Sequence, residues 1–263
     1  MPRSAWKLPE TPLHARRSAE RYFAGVAQAE ALARLQFLVH NHRRLGLLLG
    51  ARGSGKSLLL DVFAQQLRDS RRQVLVINVN GMALDEFLWN VAAGFALNPP
   101  AHAGSRELWR DVEDLLVANR YQRIDTVLLL DDMEEAETEI LTAVSRLAQL
   151  DNRNDSPFTM IMAAETGRRN LLGERLLDMS DLRVEIEPWS TSEAQQFLLW
   201  SLAEGGYSQA FMTTRAIERI VTQAQGIPRR IRHLAQLAVI AAEGQDLAQI
   251  DEHFVGTVQA ELA

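Results

Sequence analysis

The stretch from Gly50 to Ser57 reads Gly-Ala-Arg-Gly-Ser-Gly-Lys-Ser, which fits the pattern G-x-x-x-x-G-K-[ST] at every fixed position. Glycine lets the backbone turn so that successive N–H groups point inward, where they can hold phosphate oxygens. Average residue frequencies would produce this pattern by chance in roughly 1% of chains of this length. The apolar run Leu45–Leu49 precedes it and a helical run begins at Leu58. This context indicates a phosphate-binding loop between a strand and a helix.

The residues of this loop have separate expected roles. Lys56 is expected to reach the β- and γ-phosphates of a nucleotide, and the Ser57 hydroxyl to ligate Mg²⁺. The helix that begins near Lys56 directs the positive end of its dipole at the phosphates. We therefore expect ATP and Mg²⁺ as ligands, with the nucleotide held by Gly50, Ala51, Arg52, Gly53, Ser54, Gly55, Lys56, Ser57 and Leu58.

Two carboxylates follow the apolar run Val127–Leu130. We expect Asp131 to hold Mg²⁺ through water and Asp132 to polarise the water that attacks the nucleotide. The second acid is more usually Glu, and Asp is shorter by roughly 1.5 Å, where a 1 Å error can cost about 100-fold in rate. Glu134 and Glu135 could compensate. Alternatively, the two aspartates only cap a helix that starts near Glu134.

Short β-like runs alternate with helical runs up to Pro188, and only helical runs follow it. Such alternation is typical of a parallel sheet covered by helices on both faces. The fold class is therefore α/β, a P-loop NTPase sheet followed by a small all-helical lid. We expect a flexible basic arm at 1–20, a nucleotide-binding domain at 21–188 and a helical lid at 189–263. The predicted strands are Leu45–Leu49, Gln73–Val79, Thr126–Leu130, Phe158–Ala163 and Arg183–Glu187, and the predicted helices between them cover about 56–69, 84–97, 105–120, 134–150 and 169–179.

Composition and charge narrow the range of functions. The chain has 263 residues and a net charge of −6, yet its first 50 residues carry eight Arg and Lys against three Glu. A basic region can contact nucleic acid or a lipid headgroup, or it can be a solvated leader. The chain has no cysteine, which excludes a disulfide and a thiol nucleophile. We find no signal peptide and no integral membrane segment, and expect a cytoplasmic protein.

The spacing of the motifs argues against a GTPase. One predicted strand lies between the phosphate loop and Asp131, which suits ATPases with an added strand. A guanine signature would read Asn-Lys-x-Asp after a late strand. The stretch from Asn152 to Asp155 has Arg in place of Lys and precedes a strand, so we interpret it as a turn.

Together these features resemble AAA+ ATPases, and among them the ExeA/GspA-like bacterial group, over about residues 18–262. The resemblance rests on the phosphate loop, the Asp131-Asp132 pair, Tyr22-Phe23 and the stretch Gly226–Ile231, which is similar to the Gly-x-Pro-Arg sensor 2 motif of that family. It implies that ATP lies between the two domains and that Arg229 extends toward the γ-phosphate.

The family resemblance also implies a sensor 1 residue and an arginine finger. Glu165 is the polar candidate for sensor 1 at the end of the fourth strand. The finger, which precedes the fifth strand and completes the site of a neighbouring subunit, is either Arg183 or Arg175. An ATP-dependent homo-oligomer is therefore expected.

Three functions remain open. The resemblance favours a secretion or envelope-assembly ATPase that drives a conformational change in a macromolecular partner. A DNA-associated regulator of the transposition or replication-initiator type is the first alternative, and the basic first 50 residues suit it. A slowly hydrolysing, nucleotide-dependent scaffold is the second, and Asp132 favours it.

Overall fold

The structure is a computed structural model that describes residues 22–68, 72–150 and 157–260. These residues form two compact units. The α/β unit contains residues 28–52 and 56–186, and the helical unit contains residues 22–27, 53–55 and 187–260, apart from the undescribed positions. The predicted basic arm at 1–20 and the predicted turn at Asn152 to Asp155 lie outside the described residues.

The α/β unit alternates strands with helices along the chain. Its strands are β1 (Leu45–Gly50), β2 (Arg72–Asn78), β3 (Asp125–Asp131), β4 (Phe158–Glu165) and β5 (Leu182–Ile186). Its helices are α1 (Val26–His40), α2 (Lys56–Leu67), α3 (Leu84–Gly94), α4 (Ser105–Gln122), α5 (Thr138–Leu147) and α6 (Glu174–Asp178), of which α1 starts within the helical unit.

The five strands form one parallel sheet in the order β2-β3-β4-β1-β5. Gly50 at the end of β1 lies opposite Glu165 at the end of β4, and Asn78 at the end of β2 lies opposite Asp131 at the end of β3. The carboxyl ends of four strands therefore meet along one edge, which is where open α/β sheets bind ligands. The sheet and its covering helices confirm the predicted fold class.

Burial explains why these segments form the centre of the sheet. Every residue of β1 is buried, and so is nearly every residue of β3 and β4. Their near-continuous apolar sequences are those of strands covered on both faces. The edge strand β2 is only partly buried over most of its length. The phosphate loop and the acidic pair thus follow two strands that lie in the buried interior of the sheet.

The helical unit holds α7 (Thr191–Glu204), α8 (Thr214–Ala224), α9 (Pro228–Gly244) and α10 (Glu252–Ala260). Ser190 and Glu193 form a complete capping box at the start of α7, as predicted, and Pro228 occupies the first turn of α9. Apolar faces of all four helices share a core that includes Trp189, Leu198, Ile220 and Val255.

Two predicted helices begin later than their sequence suggests. The helix predicted over 134–150 starts at Thr138, because Asp132 adopts a left-handed conformation and Met133–Glu135 form a separate 3-10 turn. The helix predicted over 169–179 is divided into a 3-10 segment, Thr166–Leu172, and α6. Gly173, with φ +78°, separates the two. Among the described residues, no helix has the length and apolarity needed to cross a membrane.

Candidate functional site

The loop between β1 and α2 has an open, glycine-dependent backbone. Gly53 and Gly55 have φ values of +88° and +99°, a region that side chains strongly disfavour. A Cβ atom placed on Gly55 would meet no other atom within 4 Å. A side chain at this position would therefore project into open space beside the loop. A phosphate group fits a cradle of this kind.

Two polar side chains of the same loop are buried. Lys56 is only 7% exposed, and its Nζ donates hydrogen bonds to the carbonyl oxygens of Gly50 at 3.0 Å and Ala51 at 3.4 Å. The Ser54 hydroxyl is buried without a hydrogen-bond partner among the described residues. A buried ammonium and an orphaned hydroxyl suit an anionic ligand, so the loop fits the phosphates of a nucleotide.

The acidic pair lies at the carboxyl end of β3. Asp131 is 4% exposed, and its carbonyl oxygen accepts a hydrogen bond from the Val79 N–H at 3.1 Å. Asp132 has φ +55°, and its Oδ2 accepts a 2.7 Å hydrogen bond from Nδ2 of Asn78. Asn78 is a site residue that the sequence analysis missed. Its position at the end of the strand run 73–79 is the signal that could have revealed it.

Glu134 enters the site from the 3-10 turn after Asp132. Its side chain is buried, and one carboxylate oxygen, Oε2, has no hydrogen-bond partner among the described residues. The carboxylate interacts with its own backbone N–H and with that of Glu165. Burial raises the pKa of Glu134, and Asp132 raises it further, whereas both N–H groups and Lys56 oppose the rise. From the sequence, Glu134 was only a candidate to compensate for the short Asp132 side chain, and no local pattern indicated that it would be buried.

Glu165 and Glu135 lie on the same edge of the sheet. Glu165 is the last residue of β4 and is partly buried. Glu135 forms an ion pair with Arg168, whose Nη2 donates to Oε2 at 3.3 Å. The Arg168 hydrogen bond lowers the pKa of the Glu135 carboxyl. Because Glu135 is engaged by Arg168 at the surface, Glu134 is the acid of this turn that the fold directs inward.

The two candidate finger residues lie elsewhere in the α/β unit. Arg183 is the second residue of β5, opposite Leu47, and its Nη2 donates to the Leu177 carbonyl at 2.7 Å. Arg175 lies on α6, and its Nη2 donates to Oε1 of Gln149 at 3.1 Å. Both arginines are exposed. The fold thus places them toward the amino ends of the strands, away from the edge that carries the phosphate loop.

The sensor 2 candidate belongs to the helical unit. Arg229 is the second residue of α9, and its backbone N–H donates to the carbonyl of Gly53 at 3.2 Å within that unit. A Cβ atom on Gly53 would lie 2.8 Å from the Cβ of Arg229. Gly53 therefore permits this close approach. The neighbouring Arg230 instead donates to Oε1 of Gln225 at 2.9 Å.

The chain is similar to several known proteins. A family model described as an AAA domain matches residues 39–172. General secretion pathway protein A of Aeromonas hydrophila is 23% identical over 239 residues, which cover 89% of this chain. The match spans 44% of that relative, so this chain corresponds to less than half of its length.

Solved structures share the fold at low sequence identity. The Aeropyrum pernix ORC2 protein, in ADPNP and ADP complexes, has a TM-score of 0.70 and 15% identity, and the match covers 94% of this chain and 72% of that one. The RuvB Holliday junction branch migration motor of Thermotoga maritima has a TM-score of 0.61 and 16% identity, and the match again covers 94% of this chain and 72% of that one. The solved structures show the shared fold, and the family match, which spans half of the chain and includes the phosphate loop, shows that the protein belongs to the AAA domain family and is an ATPase.

Proposed function

We propose that this protein binds ATP together with Mg²⁺ and uses hydrolysis to drive a conformational change in a macromolecular partner. The observation that carries the proposal is the loop at the end of β1, in which two glycines adopt positive φ values, Lys56 is buried, and the buried Ser54 hydroxyl has no hydrogen-bond partner among the described residues. Similarity to General secretion pathway protein A supports a secretion or envelope-assembly role. Such a role would place the nucleotide-binding part in the cytoplasm, where ATP is available.

Individual residues have distinct proposed roles. Lys56 and the loop N–H groups bind the phosphates, and the Ser57 hydroxyl and the Asp131 carboxylate hold the metal. When bound, Mg²⁺ neutralises charge that develops on the phosphate oxygens. Arg229 is the proposed sensor 2 residue, since a guanidinium can form paired hydrogen bonds to a phosphate. Glu165 is the proposed sensor 1 residue.

The proposal predicts that Lys56→Ala largely abolishes ATP binding. The substitution removes the buried ammonium of the loop and leaves the surrounding backbone carbonyls intact. Isothermal calorimetry with Mg²⁺ and ATP should show strong binding by the unchanged protein and little by the variant. Arg34→Ala is a matched control, because Arg34 is an exposed cation on α1 whose ion pair among the described residues is a local one with Glu30. Undiminished ATP affinity in Lys56→Ala would contradict the proposal.

A DNA-associated regulator is the second candidate function. The balance of eight basic residues against three acidic ones in the first 50 positions favours it. The Aeropyrum pernix ORC1 protein, solved in complex with DNA, shares the fold with a TM-score of 0.67 at 16% identity. Filter binding of duplex DNA at increasing salt distinguishes the two candidates. A DNA-binding function requires affinity that falls steeply as salt rises, whereas a protein-directed ATPase requires no such affinity.

A further inference from the structure

Asp132 and Glu134, which follow β3, interact with different neighbouring strands of the sheet. In the strand order β2-β3-β4-β1, the strand β2 lies on one side of β3, and β4 and β1 lie on the other. The Asp132 carboxylate turns toward β2, where Asn78 holds it at 2.7 Å. The Glu134 carboxylate turns toward β4, where it interacts with the Glu165 N–H and with the charge of Lys56. Glu134 therefore lies on the β4 side of β3, within electrostatic reach of Lys56 and of Asp132, whereas the Asp132 carboxylate itself is held on the β2 side by Asn78.

The environment of Glu134 differs from that of an acid with a structural role. A carboxylate that stabilises a fold is usually paired or fully hydrogen-bonded when it is buried. Glu134 is only 9% exposed, and its Oε2 has no partner among the described residues. Its neighbour Glu135 already forms the ion pair with Arg168 that a structural acid would make. Retaining an incompletely satisfied carboxylate costs stability, as is common for groups that act in catalysis.

We propose that Glu134, and not Asp132, is the general base for ATP hydrolysis in this protein. In this step the oxygen of a water molecule forms a bond to the γ-phosphorus, and the proton of that water passes to the free oxygen of Glu134. The bond from the γ-phosphorus to the bridging oxygen breaks, and its electron pair leaves with ADP. Glu134 then returns the proton to the phosphate or to solvent. The proposal rests on the ATPase function described above.

The backbone geometry explains why the proposed base is Glu134 and not Asp132, two residues earlier. Asp132 occupies a left-handed conformation at φ +55°, which aims its short side chain at Asn78. The 3-10 turn Met133–Glu135 follows directly, and its first residue, Met133, is fully buried. Burial of Met133 anchors the turn and carries the longer Glu134 side chain back toward β4. The turn thus supplies the reach that aspartate lacks at position 132.

Two isosteric substitutions, Glu134→Gln and Asp132→Asn, test the assignment. Each retains shape and removes one carboxylate. Calorimetry should show ATP affinity within about threefold of the unchanged protein for both variants. Steady-state turnover should fall by about 100-fold or more in Glu134→Gln, the scale of a lost general base, and by less than about tenfold in Asp132→Asn. Acid quenching of the ATP complex should recover intact ATP from Glu134→Gln.

A measurement without nucleotide separates a catalytic role from a structural one. Because the buried Glu134 carboxylate is incompletely satisfied, Glu134→Gln should melt at the same temperature as the unchanged protein or higher, whereas loss of a structural acid would lower the melting temperature. A lower melting temperature, or a turnover deficit in Asp132→Asn as large as that in Glu134→Gln, would overturn the assignment. If the unchanged protein bound no ATP, the ATPase proposal itself would fail. That result differs from failure of the Glu134 assignment, in which the unchanged protein binds and hydrolyses ATP.

Discussion

At the scale of single residues, the helical unit depends on a missing side chain at Gly226. Its φ is +69°, and a Cβ atom there would lie 2.2 Å from the carbonyl oxygen of Trp189. The Trp189 N–H donates to the Gly226 carbonyl at 2.9 Å, so the two backbones are in direct contact. Trp189 in turn packs on Phe23 and Phe197, at ring-centroid distances of 5.5 and 4.8 Å. This glycine therefore fixes the point at which the chain enters the helical unit.

We predict that Gly226→Ala destabilises the helical unit by about 2–4 kcal/mol. Left-handed backbone strain contributes about 1–2 kcal/mol, and displacement of the Trp189 backbone accounts for the rest. Urea denaturation followed by tryptophan fluorescence measures the change. Gly244→Ala is the matched control, because Gly244 ends α9 without a positive φ, and a Cβ atom added there would meet nothing within 4 Å. The control should be neutral or slightly stabilising, and equal losses in both variants would contradict the argument.

At the scale of elements, the start of α7 is linked to the start of α1 through one carboxylate. Oε2 of Glu193 accepts hydrogen bonds from the N–H and hydroxyl of Ser190 at 3.0 and 2.7 Å. Its Oε1 accepts a 2.7 Å bond from the N–H of Val26, the first residue of α1. Burial alone would raise the pKa of Glu193, but the hydrogen bonds from Ser190 and Val26 together lower it. A single side chain thus caps two helices.

We predict that Glu193→Gln destabilises the protein at neutral pH and that the difference disappears in acid. Since the pKa of Glu193 is lower in the folded state, its charge stabilises the fold above the unfolded value of about 4.5. That contribution is lost as the pH falls through the folded pKa. Urea denaturation at neutral pH and at successively lower pH values measures it. Glu204→Gln, at the exposed end of α7, is the control. A difference that persisted unchanged in acid would exclude the charge as its cause.

The sequence predicted these elements because their signals are local. The capping box and Pro228 each act within a few residues, and the apolar runs of β1 and β3 report burial on both faces. The start of α5 was predicted too early, at 134 instead of Thr138. Burial of Met133 and the left-handed Asp132 set that boundary, and both follow from packing against other strands rather than from helix propensity.

At the scale of the whole molecule, the site depends on strand order, which the sequence does not encode locally. Asn78 and Asp132 are 54 positions apart and meet only because β2 is the neighbour of β3. Glu134 likewise faces β4 only because β4 lies between β3 and β1. The spacing of the motifs could therefore predict the phosphate loop and the acidic strand end. It could not predict which way each acid would point.

Strand order also bears on where an arginine finger can act. Arg183 lies opposite Leu47, three residues before Gly50, which corresponds to about 10 Å along the strand. Its guanidinium donates to the Leu177 carbonyl, and Arg175 donates to Gln149. Neither side chain is held at the carboxyl edge of its own sheet. If either one contributes to hydrolysis, we expect it to act on the site of an adjacent subunit, in an ATP-dependent homo-oligomer with head-to-tail contacts.

Mixing two inactive variants tests this expectation. Arg183→Ala retains an intact phosphate loop, and Lys56→Ala retains an intact arginine, so each protein alone should be nearly inactive, since a finger contributes about 10³–10⁵ in rate. In an equal mixture, about one quarter of head-to-tail interfaces join an intact loop to an intact arginine, and turnover should rise well above that of either variant. A mixture of Arg175→Ala with Lys56→Ala tests the other candidate.

The control is Arg110→Ala, which replaces an exposed arginine on α4 and should be active without a partner. The specific activity of the unchanged protein should also increase with its concentration. If neither mixture recovered turnover, and the unchanged protein kept a concentration-independent rate and a monomeric mass in ATP, the site would be complete within one chain.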